Sequence, residues 1–528
     1  MNSNSSTDVI IIGAGHNGLV CATYLAKAGL SVRVLEARDC IGGAAVTEEF
    51  HPGFRNSVYS YSVSLLHPKV IADLDLEAHG LEILERPAGS LSLLPNGHMQ
   101  LTRDGEQANK EIARFSRKDA QRIEQFEEQI AVVARALRSL AVTAPPNFGG
   151  GWRSLLPLLQ SGRQLYRLDR QHQIVLTELM TKSLGDYLDA WFEGDPLKGL
   201  LGFEGVIGNF ADPYQQGTAY VLLHHAFGEV KGREGAWGIA RGGMGAISDA
   251  IARSAQSRGV IIETGSPVAR IISDKGSARG VLIEDGREYF APILGANIHP
   301  QILLTKLMER QGLNEDDNRR IDAYRSHSAT FRMNVALSEL PKFSSLRPDD
   351  DFHFKGAIEL CPSLSYMQDA YREAKYDGWT RKPIISMQIP STQDPTLTPK
   401  GGHVASLFCQ HFQRYLPNDE NWDTIKESVA DTVISAIDEH APNFKSAIVG
   451  RQIKTPLDIE RDLNMVGGDI FHGALHLDQF HAMRPIPGLA DHRMPIKGVY
   501  LCGSGAHPGG GVSGLPGHNA AREILRDR

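Results

Sequence analysis

The N-terminal segment constrains the fold of this chain more than any other stretch, because a strand, a glycine-rich turn, a helix and a second strand follow one another without interruption. Residues 9–12 are an apolar run, which favours a strand buried on both faces of a parallel sheet. The sequence GAGHNG occupies residues 13–18, a helical pattern follows, and residues 31–35 form a second strand pattern before Glu36. This order predicts a βαβ unit that binds a dinucleotide.

The glycines of the turn have separate physical roles in that interpretation. Gly13 permits the tight turn after the strand, Gly15 lets the backbone approach a pyrophosphate, and Gly18 lets the helix pack closely on the strand. The free N–H groups and the positive end of the helix dipole then face the phosphates. An acid at the end of the second strand accepts hydrogen bonds from a ribose hydroxyl and repels a 2′-phosphate, which disfavours NADP. The predicted cofactor contacts in this unit are Gly13, Ala14, Gly15, Asn17, Gly18 and Glu36.

Three residues directly after this unit distinguish FAD from NAD. Arg38 and the pair Gly42 and Gly43 follow the acid; a glycine pair brings additional backbone N–H groups near an anion, and the arginine adds positive charge. The stretch resembles the second diphosphate-contact motif of the FAD enzymes that include amine oxidases and carotenoid desaturases. Without that resemblance, the same residues are equally consistent with a surface turn that carries a solvated arginine.

A second glycine-rich stretch stands near the C-terminal end. Residues 499–502 have a strand pattern, residues 503–514 form a glycine-rich loop, and residues 516–525 have a helical pattern with a proline near its start. Glycines leave room for the edge of a flat ring, and the N-terminal end of the following helix favours negative charge on a reduced flavin. The strand before the loop and the helix after it argue against the alternative of a mobile linker.

Composition predicts a globular protein of more than one domain. The chain has 528 residues, of which 41% are hydrophobic and 22% charged, and its net charge is -7 at pH 7. This charge argues against a nucleic-acid partner, and no apolar run is long enough to span a bilayer. The first residues are typical of neither a signal peptide nor a transit peptide, so we expect a cytoplasmic location. Five scattered cysteines provide no disulfide framework, no metal site and no thiol–disulfide relay.

Two segments in the middle of the chain have alternative interpretations. Residues 152–168 gather leucines among arginines, which favours a helix over the substrate entrance or core, with a peripheral membrane contact as the alternative. Residues 240–263 imitate a second dinucleotide motif, with glycines before a helical stretch and an acid after a strand. No apolar strand precedes those glycines, so a return to the first nucleotide fold is favoured over a nicotinamide domain.

Both ends of the chain together resemble the carotenoid and retinoid oxidoreductase family of flavoproteins, which are phytoene desaturase-like. The resemblance is carried by GAGHNG…LEARDCIGG at one end and YLCGSGAHPGGGVSG at the other, and it covers nearly the whole chain. It implies an α/β fold, with a Rossmann-type FAD-binding domain assembled from non-contiguous segments and an α+β substrate domain with a mixed or antiparallel sheet. The implied domains are residues 1–110, 235–297 and 490–528 for FAD, and residues 111–234 and 298–489, with a helical lid region, for the substrate.

The same resemblance implies FAD as the cofactor and assigns contacts outside the N-terminal unit. It places the backbone of Val268 beside the adenine end, and Gly503, Gly510, Gly511 and Val512 near the flavin. It also adds the mitochondrial matrix as an alternative location, although no presequence is visible.

These features predict an FAD-dependent oxidoreductase that transfers a hydride from a substrate C–H bond to flavin N5. An apolar or amine-like small molecule would bind in a cavity between the domains, and oxygen or a quinone would reoxidise the flavin. His507, inside the glycine-rich loop, and His472 are the candidate catalytic residues for proton transfer, and histidines that only bond the backbone are the alternative. Two other functions stay open: a flavin-bound regulatory or partner-binding protein with little turnover, and an NADH-dependent flavin reductase.

Overall fold

The computed structural model describes residues 7–147, 155–347 and 350–528 of the chain. The strands in these ranges are β1 (Val9–Ile12), β2 (Val32–Leu35), β3 (Thr47–His51), β4 (Phe54–Ser57), β5 (Ile83–Glu85), β6 (Ser90–Leu94), β7 (Gly97–Gln100), β8 (Glu229–Val230), β9 (Arg233–Glu234), β10 (Gly238–Ala240), β11 (Ile261–Glu263), β12 (Val268–Asp274), β13 (Ser277–Ile283), β14 (Glu288–Phe290), β15 (Ile293–Ala296), β16 (Phe331–Leu337), β17 (Ala357–Leu360), β18 (Trp379–Gln388), β19 (His403–Phe412), β20 (Ile448–Lys454) and β21 (Val499–Leu501). The α-helices are α1 (His16–Lys27), α2 (Pro68–Asp73), α3 (Gly105–Ala113), α4 (Arg117–Ala141), α5 (Leu155–Tyr166), α6 (Arg170–Thr181), α7 (Leu184–Trp191), α8 (Asp195–Val206), α9 (Ala219–His225), α10 (Gly245–Gln256), α11 (Glu315–Asp322), α12 (Leu364–Asp377), α13 (Trp422–Asp438), α14 (Phe444–Ala447), α15 (Pro456–Leu463) and α16 (Leu515–Asp527).

The first sheet is parallel and has the strand order β11-β2-β1-β15-β21. Successive residues of β1 point to opposite faces, and both faces are covered. Val9 and Ile11 pack against α1, α10 and α16, while Ile10 and Ile12 pack against β12 and β13. The structure confirms the predicted βαβ unit and its assembly from segments that are distant in sequence.

The second sheet has seven strands in the order β20-β16-β19-β18-β17-β6-β7. It is mixed, because β17 and β6 run parallel and the other neighbours run antiparallel, as predicted for the substrate domain. Phe331 and Met333 of β16 face a core that includes Trp422 and Val429 of α13. The intervening side chain, Arg332, therefore points to the opposite face, which contributes to a large cavity.

Two of the predicted domain boundaries differ from the domain membership that the sheets and their cores show. Strands β6 and β7 fall within residues 1–110, which the sequence assigned to the FAD domain, yet they complete the seven-stranded substrate sheet. The π-helix Ile302–Leu307 falls within the predicted substrate segment, yet it packs with Ile10 and Ile12 of the parallel sheet. We assign each segment to the domain whose core it shares. The boundary predicted after residue 110 therefore lies before Ser90, and the boundary predicted after residue 297 lies beyond Leu307.

Helices α4 and α6–α9 form a separate apolar cluster beside the seven-stranded sheet. Helix α5 occupies part of the predicted lid segment, and residues 148–154 lie outside the described residues. Leu158, Leu159 and Tyr166 of α5 are exposed, with Arg163 on the same helix. The peripheral membrane contact stays a prediction, and no helix in the described ranges has the length and apolarity needed to cross a bilayer.

Arg484 ties the C-terminal glycine-rich loop to the preceding segment. Its guanidinium is 1% exposed. Nη2 donates to Phe471 O at 2.6 Å and to Ser504 O at 2.9 Å, and Nη1 donates to Gly473 O and Gln479 O at 3.3 Å each. One buried cation therefore satisfies four carbonyl groups from two separate stretches of chain.

We expect Arg484→Met to lower the free energy of unfolding by at least about 3 kcal/mol, because buried carbonyls lose their charged donor. Thermal unfolding of the holoprotein, followed by circular dichroism, measures the effect. Arg319→Met is the matched control, since Arg319 is exposed and its ion pair with Asp316 is worth little. Equal unfolding temperatures for the two variants would contradict this role for Arg484.

Candidate flavin site

A cavity lies between the parallel sheet and the seven-stranded sheet. Its walls come from the β1–α1 turn, the ends of β2 and β15, the faces of β16 and β19, and the C-terminal loop. Carboxyl ends of parallel strands meet at one edge of a sheet, which is where open α/β folds bind nucleotides. The position of the cavity follows from this topology.

The structure brings a subset of the predicted site residues into the wall of the cavity. The predicted residues that line it are Gly13, Gly15, Glu36, Arg38, Gly43, Val268, His472, Gly511 and Val512. The predicted residues outside the lining are Ala14, Asn17, Gly18, Gly42, Gly503, Gly510 and His507. Two members of the second group contact the first: Ala14 N donates to Glu36 Oε2, and Gly18 packs on Gly13 O.

The β1–α1 turn is built around Asn297, a residue that the sequence analysis missed. Asn297 follows β15, its backbone N–H donates to Ile12 O at 2.8 Å, and its Nδ2 donates to Gly13 O at 3.3 Å. A Cβ on Gly15 would lie 2.7 Å from Asn297 Nδ2, and a Cβ on Gly18 would lie 2.2 Å from Gly13 O. Only glycine fits at these two positions, and the helix therefore starts directly at the cavity wall.

Glu36 is fixed by backbone amides of the same turn. Its Oε2 accepts from Ala14 N at 2.6 Å and its Oε1 accepts from Arg38 N at 2.9 Å, and the side chain is buried. A carboxylate has about four lone-pair sites, so acceptor capacity is left for a ligand hydroxyl. The carboxylate also stiffens the turn, a role that the sequence analysis did not assign to it.

The second glycine motif packs directly on the first. Gly42 N donates to Ala14 O at 2.9 Å, and the Cα atom of Gly15 lies 3.2 Å from where a Cβ of Gly43 would be. Arg38 donates from Nη2 to Glu48 Oε1 at 3.1 Å, while its Nη1 is buried and has no hydrogen-bond partner among the described residues. This arginine is therefore not the solvated surface residue of the alternative interpretation.

The C-terminal loop closes the cavity from the other side. Asn17 Nδ2 of α1 donates to Ser504 Oγ at 3.2 Å, which fixes the loop to the first helix. Gly510 packs on Phe471. Gly511 has a φ of +111°, and a Cβ there would lie 2.3 Å from Leu65 Cδ1. Val512 has a φ of +58°, a strained conformation for a β-branched residue. Strain of this kind costs on the order of 1–3 kcal/mol and is concentrated at ligand-binding sites.

Four histidines line the same cavity in neutral form, and burial lowers the pKa of one of them, His225, to about 4. Burial lowers the pKa of His16 to about 4 and, together with the nearby charge of Arg484, lowers the pKa of His472 to about 3. Burial also holds the pKa of His299 well below its usual range. Both ring nitrogens of His16 and Nδ1 of His472 are buried without a hydrogen-bond partner in the described part of the chain. Such orphaned polar atoms indicate a ligand that completes their hydrogen bonds.

His507, the first candidate for proton transfer, does not line the cavity. Its Nε2 lies 3.3 Å from Leu140 O, and its ring packs against His481 with centroids 5.2 Å apart. The loop turns at this point so that the side chain faces the end of α4 instead of the cavity. We therefore withdraw His507 as a catalytic candidate, whereas His472 keeps the position that a proton-transfer role needs.

One known protein family matches a large part of the chain. Its model, described as flavin-containing amine oxidoreductase, matches residues 18–292. The chain belongs to this family. Members of the flavin-containing amine oxidoreductase family share the expected cofactor, and the chain is accordingly an FAD-dependent oxidoreductase with the fold that the sequence predicted.

Relatives within this family extend the comparison to the whole chain. Pyridine nucleotide-disulfide oxidoreductase domain-containing protein 2 of Rattus norvegicus is 40% identical over 98% of this chain and 93% of its own length. One of the polypeptides of limonene dehydrogenase from Castellaniella defragrans is 26% identical, over 100% of this chain and 96% of its own. A lycopene-forming phytoene desaturase of Paracoccus sp. is 24% identical over 98% of this chain and 97% of its own length. The resemblance to phytoene desaturase-like flavoproteins is confirmed.

Solved structures agree with the fold. Cyclohexylamine oxidase from Brevibacterium oxydans superposes with a TM-score of 0.59 at 17% identity, and the match covers 99% of each chain. At this identity the likeness describes the architecture, namely a nucleotide-binding sheet joined to a second sheet across a cavity.

The residues of the cavity fit FAD. The glycine turn, where a Cβ has no room, presents the start of α1 to a pyrophosphate, and the unpartnered donors of His16 and Arg38 lie in the same wall. Glu36 and Val268 both line the cavity, and Glu36 has acceptor capacity left that would hold a ribose hydroxyl. Gly511 and Val512, which have positive φ values, also line the cavity and would contribute backbone contacts to the flavin.

We expect Gly15→Ala to weaken FAD binding at least tenfold, because the added methyl group meets Asn297 and displaces the cradle. Fluorescence titration of the apoprotein with FAD measures the affinity. Gly105→Ala is the matched control: Gly105 also begins a helix, and a Cβ there meets no atom within 4 Å among the described residues. Equal FAD affinity in both variants would exclude the glycine turn as the cofactor cradle.

We expect acid to destabilise the protein through its neutral histidines. Between pH 6.5 and about 3 the unfolded chain binds a proton at residue 472 that the folded chain does not, so stability falls as pH falls through this window. Across this pH window, one such histidine lowers the free energy of unfolding by about 4 kcal/mol.

The variant His472→Asn removes the titrating group and keeps the residue's φ of +56°, which asparagine tolerates. Urea unfolding at pH 7 and pH 5 should show a smaller loss of stability in this variant than in the wild type. The half-buried His172, which lies away from the cavity, gives the control variant His172→Asn, which should lose stability like the wild type. If His472→Asn lost as much stability between pH 7 and pH 5 as the wild type, His472 would not be a buried neutral histidine in the folded protein.

Proposed function

We propose that the chain oxidises an apolar or amine-like small molecule by removing a hydride from a substrate C–H bond, and that oxygen or a quinone later accepts the electrons. The supporting observation is that one continuous cavity joins the nucleotide cradle to the seven-stranded sheet. Beyond the cradle its wall is mainly apolar, with Leu65, Ile207, Trp237, Phe408 and Phe471. An apolar body would bury itself there without leaving polar groups unpaired.

The contribution of the chain is to position the substrate and to exclude water. When bound, FAD supplies the hydride acceptor. The aromatic and aliphatic side chains limit the orientations of the substrate, which lowers the entropic part of the barrier. Neutral His472 offers a hydrogen bond through its unpartnered Nδ1 without adding charge, so it would orient a polar group of the substrate. Both ring nitrogens of His299 already bond within the chain, Nε2 with Ser326 Oγ and Nδ1 with Gln301 N.

The contacts of helix α10 argue against the alternative of an NADH-dependent flavin reductase. The amides that a second dinucleotide would need are already bonded, since Gly245 N donates to Thr47 Oγ1 at 2.9 Å and Met244 N donates to Ser57 Oγ at 3.0 Å. The preceding strand β10 pairs antiparallel with β5, and β11 extends the one parallel sheet. This segment is part of the first nucleotide fold.

Anaerobic reduction of the yellow holoenzyme tests the proposal. Phytoene, limonene and cyclohexylamine represent the compound classes named for the relatives and the solved structure, 4-phenylbutyrate represents apolar acids, and NADH represents the alternative. We expect at least one of the four organic compounds to bleach the visible flavin absorption, and NADH at equal concentration to be at least 100-fold slower.

The two other functions give different results in the same experiment. Fast bleaching by NADH alone would overturn the proposal in favour of a flavin reductase. Failure of every compound to bleach the flavin, in protein that retains FAD, would favour a regulatory or partner-binding role with little turnover.

A further inference from the structure

The cavity face of the seven-stranded sheet carries a row of side chains at directly paired positions. Arg332 pairs with Phe408, Phe408 pairs with Ser386, and Ser386 pairs with Glu359 on four adjacent strands. Tyr61 covers one end of the row, with its ring centre 4.5 Å from Arg332 Cζ and 5.5 Å from the Phe408 ring. Arg332, at one end of the row, lines the cavity together with Tyr61 and Phe408.

Arg332 is buried without a counter-ion. It is 2% exposed, Nη1 donates to Leu407 O at 2.7 Å, and Nη2 donates to Ser406 Oγ at 2.8 Å. Both acceptors are neutral, and Nε has no partner in the described ranges. No carboxylate of the described residues lies within 4.0 Å of this guanidinium. A guanidinium has five N–H donors, so donors remain for a ligand.

The positive charge of Arg332 persists at neutral pH. Burial lowers the pKa of Arg332 only to about 10. The acid of the row does not neutralise it, because burial raises the pKa of Glu359 to about 8 and the two residues are three strand spacings apart, about 14 Å. A buried guanidinium whose donors are only partly satisfied is costly, and the carboxylate of a ligand would satisfy the donors that remain on Arg332.

Arg484 shows what a structural buried arginine looks like in the same molecule. Its guanidinium donates to four carbonyl oxygens, and these bonds hold the C-terminal loop against the segment that precedes it. Arg332 holds only two neutral acceptors of one strand and lines the cavity. Because Arg332 uses fewer of its donors and lines the cavity, it has N–H groups available to a ligand there.

We propose that Arg332 binds a carboxylate of the substrate, so that the substrate is an acid with an apolar body. This inference rests on the proposed function and narrows its substrate class. The planar guanidinium matches a carboxylate in two parallel hydrogen bonds, and Phe408 and Tyr61 pack on the carbon atoms next to it. Loss of water from this wall strengthens the charge pairing.

Isothermal titration calorimetry of the oxidised holoenzyme tests the inference with three probes of equal size: 4-phenylbutyrate, 4-phenylbutan-1-ol and 4-phenylbutylamine. We expect the acid to bind at least tenfold more tightly than the alcohol, and the amine to bind most weakly. In Arg332→Met the affinity for the acid should fall at least 30-fold, while the affinity for the alcohol changes less than threefold. Arg332→Lys should retain part of the preference for the acid.

Arg451→Met is the matched control, because Arg451 lies on the neighbouring strand β20 and pairs with Asp431 and Glu427 away from the cavity. It should bind all three probes like the wild type. FAD content and thermal unfolding of each variant separate loss of the acid site from loss of the cofactor or the fold.

The inference is overturned if the wild type does not prefer the acid to the alcohol, a result that depends on no variant. It is also overturned if Arg332→Met, with its FAD retained, binds the acid as the wild type does. Failure of the proposed function has a different outcome, namely an enzyme that binds 4-phenylbutyrate through Arg332 while no organic compound reduces its flavin.

Discussion

The close approach of helix α1 to strand β1 determines the geometry of everything that surrounds the cavity. A Cβ at Gly18 would lie 2.2 Å from Gly13 O, so the backbone reaches this distance only because both residues are glycine. Asn297, at the end of β15, fills the space beside them and bonds Gly13 O. Since β1 lies at the centre of the parallel sheet, this contact also sets the positions of β15 and β21, and with β21 the position of the C-terminal loop.

The cavity exists because two sheets with different surroundings face each other across it. The parallel sheet presents strand ends and helix amides, which suit the phosphates and ribose of a dinucleotide. The seven-stranded sheet presents one side to α13 and the other to the cavity, so that a single strand, β16, alternates between Phe331 in the core and Arg332 in the cavity wall. Cofactor recognition and substrate recognition are thereby divided between two separately built surfaces.

Burial affects the two kinds of cationic side chain in this cavity differently. The histidines lose their charge, because desolvation moves their pKa far below neutral pH. Arg332 keeps its charge, because even a lowered guanidinium pKa stays well above neutral pH. The result is a wall in which neutral imidazoles near the cradle can orient a ligand, while the fixed positive charge of Arg332 bonds only neutral acceptors among the described residues.

The amino-acid sequence by itself determined the dinucleotide-binding fold, because the glycines and Glu36 act through local backbone geometry within one βαβ unit. Its resemblance to phytoene desaturase-like flavoproteins identified FAD and the family. The resemblance that its two ends carry also predicted the mixed second sheet. Only the tertiary structure decided that His507 faces away from the cavity, that β6 and β7 join the substrate sheet, and that Asn297 and Arg332 belong to the site. The direction of a loop side chain and the pairing of distant strands depend on contacts between residues hundreds of positions apart, and no local pattern in the sequence encodes them.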